Sequence, residues 1–141
     1  MDKNEQNDSL FVGQKCSIKK IVRENDVEKF AELTGDINAL HLNEKIAKES
    51  IFGGRVCHGM LIGSYISAAL GMYLPGEGTI YLGQDLEFKK PVYIDEEIEI
   101  TVEIEKIEEE KNIIILKTIV RKSDGNIAVN GTAKVMFKMQ E

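Results

Sequence analysis

Nine consecutive residues alternate without a break between polar and apolar side chains: Glu97-Ile98-Glu99-Ile100-Thr101-Val102-Glu103-Ile104-Glu105. Side chains of an extended chain point to opposite faces in turn, so this run predicts a strand with one wet and one dry face. Wound as a helix, the same residues would scatter their isoleucines around the whole circumference. Further strands are predicted over 79–88 (ended by Pro91), 112–121 and 127–139, with Ser123-Asp124-Gly125 turning the chain between the last two. The alternation fails at Lys106-Ile107, which points to a bulge. Residues 14–22 alternate loosely and predict a first strand or a lead-in to one.

Helical spacing governs the rest of the first half. Asn25 is placed to cap a helix with Glu28 at its third position; Val27, Phe30, Ala31 and Thr34 keep the period, and Gly35 closes it. After a polar stretch over 36–42, Asn43 is set to cap a short helix carrying Ile46 and Ala47. The glycines of Ile51-Phe52-Gly53-Gly54-Arg55 mark a loop. From 59 to 74 the chain is apolar on nearly every side, as a core helix is, and Pro75-Gly76 stops it. One such helix with four or more antiparallel strands predicts an α+β fold, the sheet wrapped around a central helix. No repeat, low-complexity run or linker intervenes, so the expected organisation is a short tail over 1–10 and a single domain over 11–141.

Composition narrows the class. At 141 residues, 43% hydrophobic and 30% charged, the chain suits one globular domain that needs no disulfide or metal staple. A formal charge of −6 argues against nucleic acid as a partner. Residues 85–111 hold eleven acids against four lysines, so the rest of the chain is close to neutral. The glutamates of the alternating run read as a solvated face that discourages edge aggregation. The longest apolar stretch, 58–74, spans 17 residues with Ser64, Tyr65, Ser67 and three glycines, too short and polar for a bilayer. The first nine residues lack the basic-then-apolar order of a signal peptide, and Cys16 and Cys57 match no metal spacing. A cytoplasmic protein with reduced thiols and no membrane partner is expected.

The candidate chemistry lies around the two histidines. Asp36, Asn38 and His41 fall within six residues just past a helix end, where site residues are often mounted. A carboxylate and an imidazole make a natural acid–base pair, and Asn38 can orient either. His58 heads the apolar helix, followed by Gly59. Backbone N–H groups at a helix start are unpaired, and a glycine there lets another molecule come close, as a donor to a developing oxyanion requires. The plainer alternative makes His58 a core or capping residue and Gly59 a packing device. Together the features suit addition of water to an α,β-unsaturated thioester, or its removal, with no metal or organic cofactor. Neither the strand–G-x-G-x-x-G–helix unit of a dinucleotide-binding fold nor the G-x-S-x-G of a serine hydrolase is present.

The run from Phe30 to His41, with Thr34-Gly35-Asp36-Ile37-Asn38-Ala39-Leu40-His41 at its centre, then Ala47 and His58-Gly59-Met60-Leu61, resembles the MaoC-like dehydratase family, nearest to its (R)-specific enoyl-CoA hydratases. The resemblance runs over about residues 14–138. It implies a hot-dog fold, usually in a homodimer with sheets side by side. It also implies Asp36 and His41 as the catalytic pair, Asn38 as their support and the Gly59 N–H as the oxyanion donor. Ser64, Phe52 and Met60 are expected to line the pocket. Two positions depart from the family's pattern: Ala39 stands where members often carry proline, and Cys57 where a small aliphatic residue is common. The expected substrate is an enoyl thioester of coenzyme A or acyl-carrier protein, in either direction. A hot-dog thioesterase and a non-catalytic acyl-CoA or acyl-carrier binding module are the alternatives. Candidate phosphate partners are Arg55, Lys45, Lys48, Lys19, Lys20, Arg23, Lys89 and Lys90.

Overall fold

The computed structural model describes residues 10–139; of the expected tail only Leu10 falls within them, and it packs against the core. The element order is β1 (Lys15–Ile21), α1 (Glu24–Thr34), α2 (Ala39–Leu42), α3 (Glu44–Glu49), α4 (Gly59–Met72), β2 (Ile80–Gln84), β3 (Glu87–Phe88), β4 (Glu97–Glu108), a 3₁₀ turn (Glu109–Lys111), β5 (Ile113–Lys122) and β6 (Ile127–Met136). The six strands form one antiparallel sheet in the order β1-β4-β5-β6-β2, with β3 also paired to β6. The isoleucine face of β4 meets α4: Ile98, Ile100, Val102 and Ile104 are buried with Ile62, Ile66 and Leu70 in one cluster. This is the sheet wrapped on a central helix that the pattern predicts.

The glutamates of β4 stay outside, but the strand is no edge. It lies between β1 and β5, where Glu103 stands opposite Lys15 and Lys117, and Glu99 opposite Lys19 and Arg121. Opposite charges facing across neighbouring strands, rather than protection of an edge, account for this acidic row. The bulge falls at Glu105, where the register shifts between Ile104 and Lys106.

Three further expectations need adjusting. Helix α1 starts at Glu24, with Arg23 rather than Asn25 at its N-cap and Asp26 rather than Glu28 at its third position, where its carboxylate accepts from Arg23 N–H at 2.9 Å. The strand predicted over 79–88 is interrupted at residues 85 and 86, and both pieces pair with β6. The interruption sits on Gly131: a Cβ there would lie 1.9 Å from the Asp85 carbonyl oxygen. Asp85 takes the vacant space, its N–H donating to Thr132 O (3.1 Å) and its carboxylate accepting from Thr132 N–H (3.0 Å). The diversion presses the segment against α4, with Leu86 over Gly63 and the Phe88 ring over Gly59, each 2.9 Å from where a Cβ would be. The helix itself is buried on one side only. Leu61, Ile62, Ile66, Ala69 and Leu70 are inside, whereas Met60, Ser64, Ser67 and Met72 are exposed.

Gly131→Ala is expected to cost about 3 kcal/mol, the upper end for overpacking, because backbone rather than a flexible side chain must move. Urea unfolding checks this: an unchanged midpoint would show that the Asp85 carbonyl yields freely.

Candidate active site

A continuous set of local bonds shapes the segment from Thr34 to His41. Gly35 ends α1 in the left-handed region (φ 82°), its N–H donating to Ala31 O at 2.9 Å. Thr34 Oγ1 accepts from Asp36 N–H at 3.2 Å, and Asp36 Oδ1 accepts from Asn38 N–H at 3.3 Å. Asn38 Oδ1 then caps α2 by accepting from Leu40 N–H at 3.0 Å. His41 is therefore carried on a single helical turn rather than on irregular backbone. Asn38 contributes by starting that turn, so its support for the site passes through the backbone.

The His41 ring is anchored from the other side. Its Nδ1 lies 2.7 Å from Val56 O, and since a carbonyl can only accept, Nδ1 carries the hydrogen. In the neutral ring this leaves the Nε2 lone pair free to take a proton. Val56 N–H in turn donates to Leu40 O at 3.2 Å, and Arg55 Nε donates to His41 O at 2.8 Å. Arg55 is thus withdrawn from any phosphate role: its side chain is 11% exposed, and its other arm meets Glu24 at 2.6 Å. Three more of the candidate phosphate cations are engaged, Lys20 with Asp26, Arg23 with Asp95 and Lys89 with Glu87.

These anchors open onto a cavity of about 520 Å³, walled by apolar residues such as Leu40, Val56, Ile62, Val92 and Val129. Asp36, His41, His58 and Gly59 line it, as do Phe52 and Met60. Ser64 does not; it faces a second hollow of about 410 Å³ that shares Met60, and its hydroxyl donates to Leu61 O at 2.6 Å. A carboxylate oxygen of Asp36 and one nitrogen from each histidine ring lie within 4.8 Å of one another. Such a trio can suggest a metal site, but the histidines stack with centroids 3.8 Å apart and planes 28° from parallel. In-plane lone pairs of stacked rings run side by side instead of converging. Within the 4.8 Å limit the carboxylate and an imidazole nitrogen can hold one water together, since two hydrogen bonds of ~2.8 Å meeting at one oxygen span up to ~4.5 Å.

Gly59 opens α4, and the first i→i−4 bond of the helix is Ile62 N–H to His58 O. The Gly59 N–H therefore precedes the internal ladder and is free for an acceptor in the cavity. Cys57 also lines the cavity, and burial, with Glu96 and Asp26 adding to it, pushes its thiol up to about 12. It stays protonated at neutral pH and is no nucleophile. At the mouth stand Lys89 and Lys90. The sequence brings Asp36, His41 and Gly59 to attention by type and spacing. It is silent on the Val56 carbonyl and the Arg55 clamp, because a backbone acceptor has no residue signature and Arg55 reads as a loop cation.

A MaoC-like domain model matches residues 11–126. An (R)-specific enoyl-CoA hydratase of Aeromonas caviae is 42% identical over 127 residues, covering 90% of this chain and 95% of its own length. A 3-hydroxybutyryl-CoA dehydratase of Methylorubrum extorquens is 37% identical, over 95% of this chain and 85% of its own. The solved structure of an R-hydratase from Pseudomonas aeruginosa superposes with a TM-score of 0.89 at 38% identity, covering 93% of this chain and 84% of that one. With its hot-dog architecture and a match over most of its length, the chain belongs to the MaoC-like domain family.

Proposed function

We propose that this protein reversibly hydrates trans-2-enoyl thioesters to (R)-3-hydroxyacyl thioesters, with Asp36 and His41 as the acid–base pair. The observation that carries the reading is the convergence of the Asp36 carboxylate and a ring nitrogen of His41, no more than 4.8 Å apart at the wall of an apolar cavity and so within reach of one shared water. One water held there loses a proton to one member of the pair as its oxygen bonds to C3. The electrons of the double bond move toward the thioester carbonyl, whose developing charge the Gly59 N–H meets. The other member then gives a proton to C2, and the reverse sequence expels water. Thioester hydrolysis, or binding without turnover, would use the same cavity and Gly59 while leaving the pair idle.

The carrier of the acyl group, coenzyme A or acyl-carrier protein, is anionic in either case. Lys89 and Lys90 at the mouth suit its phosphates, and Lys90 has no carboxylate partner among the described residues, whereas Lys89 meets Glu87 at 2.9 Å. The protein works as a cytoplasmic homodimer in this reading. Among the described residues the outer edge of β2 is unpaired, and its exposed Tyr81 and Leu82 share a hollow with Met60, Ser64 and Ser67 on the open side of α4. A second copy joined along β2 would extend the sheet and cover that apolar surface.

Asp36→Asn and His41→Ala are each expected to lower kcat for crotonyl-CoA hydration by ~10²–10⁴-fold, followed by loss of enoyl absorbance. A thiol reagent in the same cuvette reports hydrolysis; near-parental hydration by both folded variants, or thiol release at the parent's rate, would sink the assignment. Replacing Lys89 and Lys90 together by alanine should raise KM roughly 5- to 10-fold with kcat held, and flatten the salt dependence of kcat/KM. An unaltered KM would place the carrier elsewhere. Sedimentation equilibrium should give twice the chain mass, falling to one on Leu82→Lys; a monomeric parent protein removes the dimer.

A further inference from the structure

The His58 side chain touches both members of the proposed pair. Its Nε2 lies 3.0 Å from the Asp36 backbone carbonyl, so this nitrogen carries the hydrogen and holds the main chain beneath the carboxylate. Its face stacks on the His41 ring at 3.8 Å, while Phe30 closes the far side with centroids 4.9 Å apart. The ring is 2% exposed, and at the N-cap position of α4 it makes no capping bond. Its remaining nitrogen, Nδ1, is buried with no partner. A histidine retained only to cap the helix would spend Nδ1 on a first-turn N–H, and one retained only as filler would be better served by an apolar ring, which strands no polar atom. The features that an apolar ring could not supply are the bond to Asp36 and a ring nitrogen deep in the site.

We propose that His58 is a positioning residue that sets the gap between Asp36 and His41, acting through its donated hydrogen bond on one side and its stacked face on the other. This rests on Asp36 and His41 being the catalytic pair. His41 is held in its plane by Val56 O at the edge and by His58 at the face; Asp36 is held at its backbone by the same His58 ring. One rigid imidazole thus couples the two groups that must share a single water, a geometry in which ~1 Å of drift costs as much as ~10²-fold in rate.

Two size-conserving variants separate the two contacts. His58→Phe keeps the stacked face and loses the donor; His58→Gln keeps a donor at similar reach and loses the face. Each should lower kcat ~10- to 100-fold while KM for crotonyl-CoA stays close to the parent's, and His58→Ala should lose more than either. Thermal melts confirm that the variants are folded. Independently of turnover, ¹H–¹⁵N correlation of His41 should show a single Nδ1–H tautomer in the parent and an averaged signal in His58→Gln. Parental kcat in both size-conserving variants, or an unchanged His41 spectrum in His58→Gln, overturns the proposal. So does activity in both that is as low as in His41→Ala, which would make His58 itself a proton carrier. Asp36→Asn and His41→Ala run alongside: if they remain active, it is the assignment of the pair that fails, and if they are dead while the His58 variants are not, only the positioning role does.

Discussion

Val56 spends both of its backbone groups on the helical turn that carries His41. Its N–H donates to Leu40 O and its carbonyl receives the His41 ring hydrogen. The next residue ties the same strip of chain to the sheet side, Cys57 N–H donating to Val92 O at 2.7 Å, and Val56 is bridged to Tyr93. Tyr93 returns a hydroxyl hydrogen to Phe52 O at 2.7 Å, and the partly buried Lys122, paired with Glu96, grips the 91–96 connection by donating also to Pro91 O. The site thus hangs from the end of β5 through backbone bonds at Val56 and Cys57, completed by the Tyr93 hydroxyl and the Lys122 ammonium. The backbone anchors survive changes of neighbouring side chains, and the carbonyl at their end decides which nitrogen of His41 is basic. One residue further on, the same strip becomes the N-terminus of α4, so the His41 ring and the free Gly59 N–H are set by one piece of chain.

The second constraint is close approach. Gly59 and Gly63 sit one turn apart on α4, under Phe88 and Leu86, and Gly131 makes room for Asp85 beyond them. Glycine within a helix costs about 1 kcal/mol against alanine, so two on one face are retained against propensity. The return is contact: the Leu86 and Phe88 side chains lie directly on the helix backbone, where any side chain at 63 or 59 would hold them off.

Legibility followed the physical range of each signal. The period-two run of β4 is readable because alternation is local, and so is the end of α1 at Gly35, which a left-handed turn requires. The position of β4 in the middle of the sheet was not readable, since strand order depends on partners elsewhere; its glutamates therefore looked like an edge defence until Lys15, Lys19, Lys117 and Arg121 appeared opposite them. The break at 85–86 was hidden because its cause, Gly131, lies on another strand. Helix α2 has four residues, too few for any periodicity. Among the candidate site residues, Asp36, His41 and Gly59 were found by type and spacing, and Phe52 and Met60 share their cavity. Ser64 lies in the neighbouring hollow. His58 was read as a capping or core histidine because its bond is to a backbone oxygen 22 residues away, which no spacing rule reveals.

The distribution of charge completes the arrangement. A net −6 would repel an anionic carrier if it were spread evenly. In the fold, Glu99 and Glu103 stand on the sheet's outer face with cations opposite them on both flanking strands, and the sheet separates them from the cavity. Fields between exposed charges fade over ~8–10 Å at physiological salt, so the outer face contributes little at the mouth. The charges at the mouth are instead Lys90 and the Lys89–Glu87 pair, set by the same 85–92 segment that the Gly131 approach diverts toward α4. Overall charge and local potential are thus decoupled by the sheet, and the acidity of the chain is compatible with an acidic substrate.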